Sequence, residues 1–164
     1  MLIIFSGLPA TGKTTIAREL ARQIGAVHVR ADTIEQAMRD SGRCLEPLND
    51  AGYRVAYAVA EENLRIGHKV VADSVNPFAV TRDAWRAVAN RAGTVAVEIE
   101  IKCSDVAEHR RRAESRVSDI SGLHRPAWEE MVAREYHPWD RDHIVIDTAV
   151  HTVQQSVRLI ADRL

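Results

Sequence analysis

Only two cysteines, Cys44 and Cys103, occur in the 164 residues, far apart and outside any CxxC spacing. That excludes a disulfide-stapled or zinc-built scaffold and leaves reduced, buried or incidental thiols. The seven histidines show no metal-ligand spacing such as HxxxH and read as surface or core residues. No apolar stretch approaches the roughly 20 residues that span a bilayer. "MLIIFSG" is too short a run for a signal peptide and lacks a basic leader. The expected location is cytoplasmic, with no membrane partner. An excess of one charge sign is missing too: 22 Lys and Arg face 23 Asp and Glu, for a net charge of −1. No sequence-wide field therefore recruits nucleic acid or an anionic membrane, although a local basic patch is compatible with that balance. Internal repeats, low-complexity tracts and Pro/Gly/Ser-rich linkers are absent as well.

What is present is an alternation of short apolar runs with helix-period segments, the pattern of a parallel sheet covered on both faces. "LIIFSG" reads as a buried first strand. Residues 14–24 put Ile16, Ala17, Leu20, Ala21 and Ile24 on one helical face, with Gly25 placed to end it. "AVHVRAD" is a second strand running into a helix over about 33–40, and 49–66 is a longer helix. "HKVVADS" is a third strand and 77–92 a helix closed by Gly93. "TVAVEIEIKC" alternates at period two and is a fourth strand, after which Ser104, with Asp105 following, caps the next helix. A short helix is expected over 128–136, a fifth strand at "HIVIDT", and a last helix over 152–164. The expectation is one α/β domain, residues 1–164, whose irregular polar segment at about 116–142 forms a mobile flap.

"GLPATGKT", Gly7 to Thr14, matches G-x-x-x-x-G-K-[ST] between a strand and a helix, the context this phosphate-binding turn requires. A chance match in a chain this long has a probability on the order of one per cent or less from average residue usage. Gly7 and Gly12 let successive N–H groups point inward as an anion nest, and the following helix aims its positive end there. The nucleotide contacts are thus expected from Gly7, Leu8, Pro9, Ala10, Thr11, Gly12, Lys13, Thr14 and Thr15. Lys13 reaches the β- and γ-phosphates of ATP, and the Thr14 hydroxyl ligates Mg2+.

Three aspartates end strands, where ligands of open parallel sheets bind: Asp32, Asp73 and Asp147. Asp73 closes the apolar run "KVVAD" and suits a carboxylate that holds the water shell of magnesium. Asp32 fits either the acceptor side of the reaction or a helix cap, and Asp147 a turn or cap. In "EHRRRAESR", Arg112 and Arg116 lie four apart and share one helical face just before the irregular segment. Arginine suits a group that swings over phosphoryl oxygens, because its planar fork binds them bidentately. Arg141 reads equally as a residue flanking the adenine or as an exposed salt bridge.

These residues together resemble the small P-loop kinase family that includes polynucleotide 5′-kinases, gluconate-type kinases, chloramphenicol phosphotransferase and adenylylsulfate kinases. The resemblance runs over nearly the whole chain: the loop, Asp32 after strand two, "VVADSVN", R-x-x-x-R, and "IVIDT". It implies a P-loop NTPase fold, a three-layer α/β/α sandwich around a five-stranded parallel sheet of order 2-3-1-4-5 with an arginine-bearing lid. It also implies Asp32 as the residue taking the hydroxyl proton, Asp73 as the strand-three carboxylate, and Arg112 and Arg116 as lid arginines. The expected activity is Mg2+-dependent transfer of the ATP γ-phosphoryl group to a small hydroxyl-bearing acceptor. A polynucleotide 5′-hydroxyl kinase stands second, and an ATP-binding switch without acceptor chemistry is the reading from another class. The acceptor pocket is expected from the helices around 34–40 and 49–57, with Met38, Cys44, Leu48, Asn49 and Tyr53. The acceptor itself, purine preference and oligomeric state stay open.

Overall fold

Strand β1, Leu2–Ser6, is buried along its whole length, which requires cover on both faces. In the computed structural model, which describes residues 1–43 and 47–164, that cover comes from two helical layers. The remaining elements are α1 (Lys13–Ile24), β2 (Val27–Arg30), α2 (Ala31–Asp40), α3 (Ala51–Arg65), β3 (Val70–Asp73), α4 (Ala79–Arg91), β4 (Ala96–Lys102), α5 (Val106–Ser115), α6 (Trp128–Val132), β5 (Ile144–Asp147) and α7 (Val153–Ala161). The sheet is parallel in the order β2-β3-β1-β4-β5, as the family resemblance implies. Odd-numbered β1 residues, Ile3 and Phe5, pack with Ile16, Ala17 and Leu20 of α1 and with Val157 and Ile160 of α7. Even-numbered ones, Leu2 and Ile4, pack with Ala56 and Ala60 of α3 and with Trp85 and Val88 of α4. The period-two geometry of a strand thus divides one apolar run between two cores.

Helix starts and stops follow local chemistry. Gly25 takes φ 64° and ends α1, and Thr152 caps α7 by accepting from Gln155 N. Helix α5 corrects the expected cap: Asp105, not Ser104, accepts from Glu108 N at 3.0 Å. Helix α2 begins at Ala31, so Asp32 sits in its first turn instead of ending a strand, where a carboxylate favours the positive helix end. Helix α6 stops at Val132, short of the expected Tyr136.

Strand β4 also departs from what its alternation suggests. Glu98 and Glu100 face the α4 side, yet this side is covered, and Glu98 is buried. The cover is the stretch 136–143. Arg141 donates to both oxygens of Glu98, each at 2.9 Å, and to Asp83 Oδ1 of α4 at 2.7 Å. Trp139 donates to Glu100 at 3.0 Å and stacks on His143 with ring centroids 3.9 Å apart. Buried Arg82 of α4 reaches under this strap and donates to the carbonyls of His137 and Pro138. The thiol of Cys103 is free, and Cys44 lies outside the described residues. Among the described residues no helix is long and apolar enough to cross a membrane.

Candidate active site

The turn after β1 is held in shape from four directions. Gly7 takes φ 134°, and a Cβ there would overlap the carbonyl oxygen of Ile101, so only glycine fits. Gly7 N donates to Val75 O at 3.0 Å. Thr11 Oγ1 donates to Leu8 O at 2.9 Å, and Thr148 Oγ1 to Thr11 O at 2.8 Å. His109 Nε2 lies 2.8 Å from Pro9 O; a carbonyl only accepts, so that nitrogen carries the proton. Ala10 holds φ 63° without being glycine, a conformation costing roughly 1–2 kcal/mol in a chiral residue. Such strain is kept where surrounding bonds over-determine the backbone, and here they do.

Lys13 is buried at the start of α1. Burial draws its ammonium below the usual lysine value, while Asp73 and then Asp32 hold it up. Asp73 ends β3 in register with Phe5 on one side and Arg30 on the other. Its side chain is only 2% exposed. Burial alone would raise its carboxyl, but His28, Lys13 and Thr14 outweigh this and hold it below the ordinary range. His28 Nε2 stands 3.3 Å and Arg30 Nε 3.9 Å from Asp73 Oδ2, neither in hydrogen-bond alignment, so Oδ2 is a buried acceptor that no donor reaches. Next to the Thr14 hydroxyl, an orphaned anionic oxygen suits a hydrated divalent cation. Among the described residues no group of three or more His, Cys, Asp or Glu side chains forms a metal cage. A cation here would share its coordination with water and phosphate oxygens, as magnesium does.

In front of the loop opens a cavity of about 640 Å³. It brings together Lys13, Thr14, Asp32, Arg112 and Arg116 from distant parts of the chain. Asp32 is half-exposed toward this space, and its nearest cation is Arg30 Nη2 at 3.5 Å. The two candidate arginines differ. Arg112 is committed, donating to Glu108 at 2.8 Å, to Thr148 Oγ1 at 2.8 Å and to Thr148 O at 3.0 Å. Arg116, at the C-cap of α5, has no carboxylate partner among the described residues, and burial draws its guanidinium below the ordinary value.

Two expectations are corrected here. Arg141 is not at this cavity: Glu98 and Asp83 hold it on the α4 side of the sheet, so of its two readings the salt bridge is the one observed. The acceptor wall is also different. Helix α2 contributes Glu35, Gln36 and Arg39, whereas Met38, Leu48, Asn49 and Tyr53 do not line the cavity. Tyr53 instead accepts a bond from Asn76 N, and burial pushes its phenol up to about 12. Asp147, as expected for a turn residue, accepts from Ser104 N and Ala149 N, both at 3.0 Å.

Several site residues escape a sequence reading. Asp119 reaches back from the irregular segment to Arg30 Nη1, at 2.9 and 3.1 Å, and to Arg18 at 2.5 Å. Arg125 and Arg134 line the same cavity. The clue to Arg30 is its position at a strand end, two residues before Asp32. For Asp119 there is no local clue, because its partners lie 89 and 101 residues away.

A five-stranded 2-3-1-4-5 sheet with this loop between β1 and α1 defines a P-loop NTPase. Residues 2–138 match the AAA domain family, and the chain belongs to it. No curated protein matches the chain. Among solved structures, the chain is similar to Mycobacterium tuberculosis APS kinase CysC in complex with AMPPNP and APS, at 16% identity and TM-score 0.72, over 98% of this chain and 95% of that one. It is similar to Chaetomium thermophilum Kti12 in complex with ADP-AlF3, at 25% identity and TM-score 0.71, over 99% and 98% of the two chains. A gluconokinase from Sinorhizobium meliloti 1021 matches at 17% identity and TM-score 0.62, over 95% and 86%. These neighbours share the fold that the resemblance to the small P-loop kinases implies.

Proposed function

We propose that the protein is an ATP- and Mg2+-dependent kinase that transfers the γ-phosphoryl group to a hydroxyl of a small acceptor. The observation that carries this reading is one cavity that joins the phosphate-binding loop to a half-exposed carboxylate, Asp32, with a buried orphan oxygen of Asp73 behind Lys13. A nucleotide switch needs the loop and a metal site, but not a half-exposed carboxylate facing the place where an acceptor would stand.

On this reading the loop N–H groups and Lys13 bind the triphosphate, and Thr14 with Asp73 would hold the metal. A metal held there would supply charge neutralisation to the phosphates. Asp32 accepts the proton of the attacking hydroxyl, a role worth roughly 10²–10⁴ in rate for a positioned base. Arg116, having no carboxylate to leave, meets the charge building on the transferred group, while Arg112 positions α5 against the loop through Thr148. The segment over about 116–142 acts as the lid. The strap at 136–143 anchors its far end, so its closing motion belongs to the part before Tyr136.

The test is ADP release from Mg-ATP over a panel of hydroxyl compounds, run beside Asp32→Asn. Loss of at least about a hundredfold in turnover with ATP affinity unchanged is expected. Equal turnover in the variant overturns the base assignment. ATP binding with no turnover on any acceptor, together with nucleotide-dependent capture of a partner, supports the switch instead.

A further inference from the structure

The cavity carries more positive charge than a triphosphate needs, and its distribution is uneven. Among its lining cations, Arg18 and Arg30 are engaged by Asp119, Arg39 approaches Glu35 at 4.0 Å, and Arg112 is held by Glu108. Lys13 belongs to the phosphate loop. Three guanidiniums are left without a carboxylate partner among the described residues: Arg116, Arg125 and Arg134. They are close enough to act on one another. Burial draws Arg116 below its ordinary value, Asp32 opposes this, and Arg125, Arg30 and Arg134 push it further down. Asp32 lines the same cavity as these three guanidiniums and acts on Arg116. Arg125 donates to the carbonyl of Arg116.

Like charges held together without a counter-charge cost free energy, and a stable protein keeps such an arrangement where an anion completes it. We propose that Arg125 and Arg134, next to Arg116, form an anion subsite in the cavity that holds Asp32, and that the acceptor is a small alcohol carrying a phosphate group. This rests on the kinase reading given above. In the reaction, the acceptor oxygen bonds to the γ-phosphorus, the bond from that phosphorus to the bridging oxygen breaks, and ADP leaves. The hydroxyl proton passes to Asp32. The acceptor's own phosphate takes no part in bond-making; it holds the hydroxyl in line. Arginine suits that task because its fork binds phosphate oxygens in two fixed directions. A small molecule is the favoured acceptor because the subsite lies in the same cavity of about 640 Å³ as the phosphate-binding loop and Asp32.

The test needs no knowledge of the natural acceptor. Protein saturated with Mg-AMPPNP is titrated with inorganic phosphate, and with glycerol 3-phosphate against glycerol, using wild type, Arg125→Gln, Arg134→Gln and the double variant. Phosphate and glycerol 3-phosphate are expected to bind the loaded protein, glycerol not. The double variant should weaken both by roughly tenfold or more while AMPPNP affinity stays within about twofold. Unchanged phosphate affinity in the double variant overturns the subsite. So does an equal loss of AMPPNP affinity, which would assign both arginines to the triphosphate. Stronger competition by a 5′-hydroxyl oligonucleotide than by glycerol 3-phosphate overturns the small acceptor. Failure of the wild type to bind AMPPNP refutes the kinase reading and with it the acceptor role, and arginine-dependent phosphate binding by the free protein then tests the anion subsite alone.

Discussion

Replacing Arg82 by methionine should cost about 3 kcal/mol of stability, because this one buried guanidinium holds the strap 136–143 to the loop behind the active site. Its Nε donates to Asn76 O at 3.0 Å, Nη1 to Pro138 O at 3.3 Å, and Nη2 to Pro77 O at 3.2 Å and His137 O at 2.7 Å. Its Cζ lies 4.2 Å from the Trp139 ring centroid and 5.0 Å from that of Tyr136. Hydrogen bonds from a charged donor contribute about 1.5–3 kcal/mol each, yet four do not add up to four times that. Pro77, His137 and Pro138 are partly or fully exposed, so water can replace their lost donors. Asn76 is fully buried, and its carbonyl would be stranded at a cost of about 1–3 kcal/mol. Losing the two ring contacts adds roughly 0.5–2 kcal/mol, offset in part by no longer burying a charge. For a chain of this size about 3 kcal/mol corresponds to a fall in Tm of roughly 6–12 °C.

The assay is thermal unfolding by circular dichroism, with a urea midpoint and m-value to show that the unfolded state is unchanged. Arg82→Lys separates charge from geometry, since an ammonium keeps the charge but cannot span four carbonyls on two segments; it should lose more than half of what methionine loses. A Tm within 2 °C of the parent for Arg82→Met would refute the reasoning, and a fully stable Arg82→Lys would show that charge, not the fork, matters.

Gly7→Ala should destabilise by more than about 3 kcal/mol or abolish AMPPNP binding, because the added methyl meets the Ile101 backbone and the φ of 134° strains any chiral residue; a folded variant with parental Tm and affinity contradicts this. Thr148→Val removes the donor to Thr11 O and the acceptor for Arg112, so about 1–3 kcal/mol and a weaker AMPPNP affinity are expected by calorimetry. Asp119 is held at about 2, chiefly by Arg30 with help from Arg18, from the ordinary 3.8. Its folded value is depressed, so its contribution is complete above about pH 4 and lost as pH falls toward 2. The side chain is 45% exposed, and solvent screening reduces that contribution to about 1 kcal/mol. Asp119→Asn should flatten the stability–pH curve over that window, as read by urea midpoints at successive pH values.

What was legible in the sequence is what short-range chemistry decides. The spacing of Gly7, Gly12, Lys13 and Thr14 specifies a local turn, and an acid closing an apolar run marks Asp73, because a buried strand ends where a charge must meet a partner. Helix limits failed by a few residues where caps compete: Asp105 wins over Ser104 because its carboxylate reaches Glu108 N. Asp32 was placed in the right neighbourhood but on the wrong element, since no glycine or proline separates β2 from α2. The rest depends on pairings across the fold. His109 braces Pro9 from 100 residues away, and Arg141 meets Glu98 across 43. A helical periodicity shows that Arg112 and Arg116 share a face, but it cannot show that Thr148 captures one and leaves the other. Likewise the alternation of β4 identifies a strand, but not that Trp139 and Arg141 of the strap cover its acids.

Arg30 is where these long-range pairings converge. Strand register sets it beside Asp73, its Nη2 lies 3.5 Å from Asp32, and its Nη1 carries both contacts to Asp119. One guanidinium is therefore shared among the carboxylate proposed to hold the metal's water, the one proposed to take a proton, and one from the proposed lid. A shared cation binds each partner less tightly than it would bind any one alone. While Asp119 engages Arg30, Asp32 keeps oxygens directed at the cavity instead of closing a bidentate pair, which is the condition a general base requires. On the proposed function, the position of the segment that carries Asp119 and the exposure of Asp32 are linked through Arg30. The backbone that carries this side chain belongs to the edge strand β2, and its guanidinium reaches from there to Asp119.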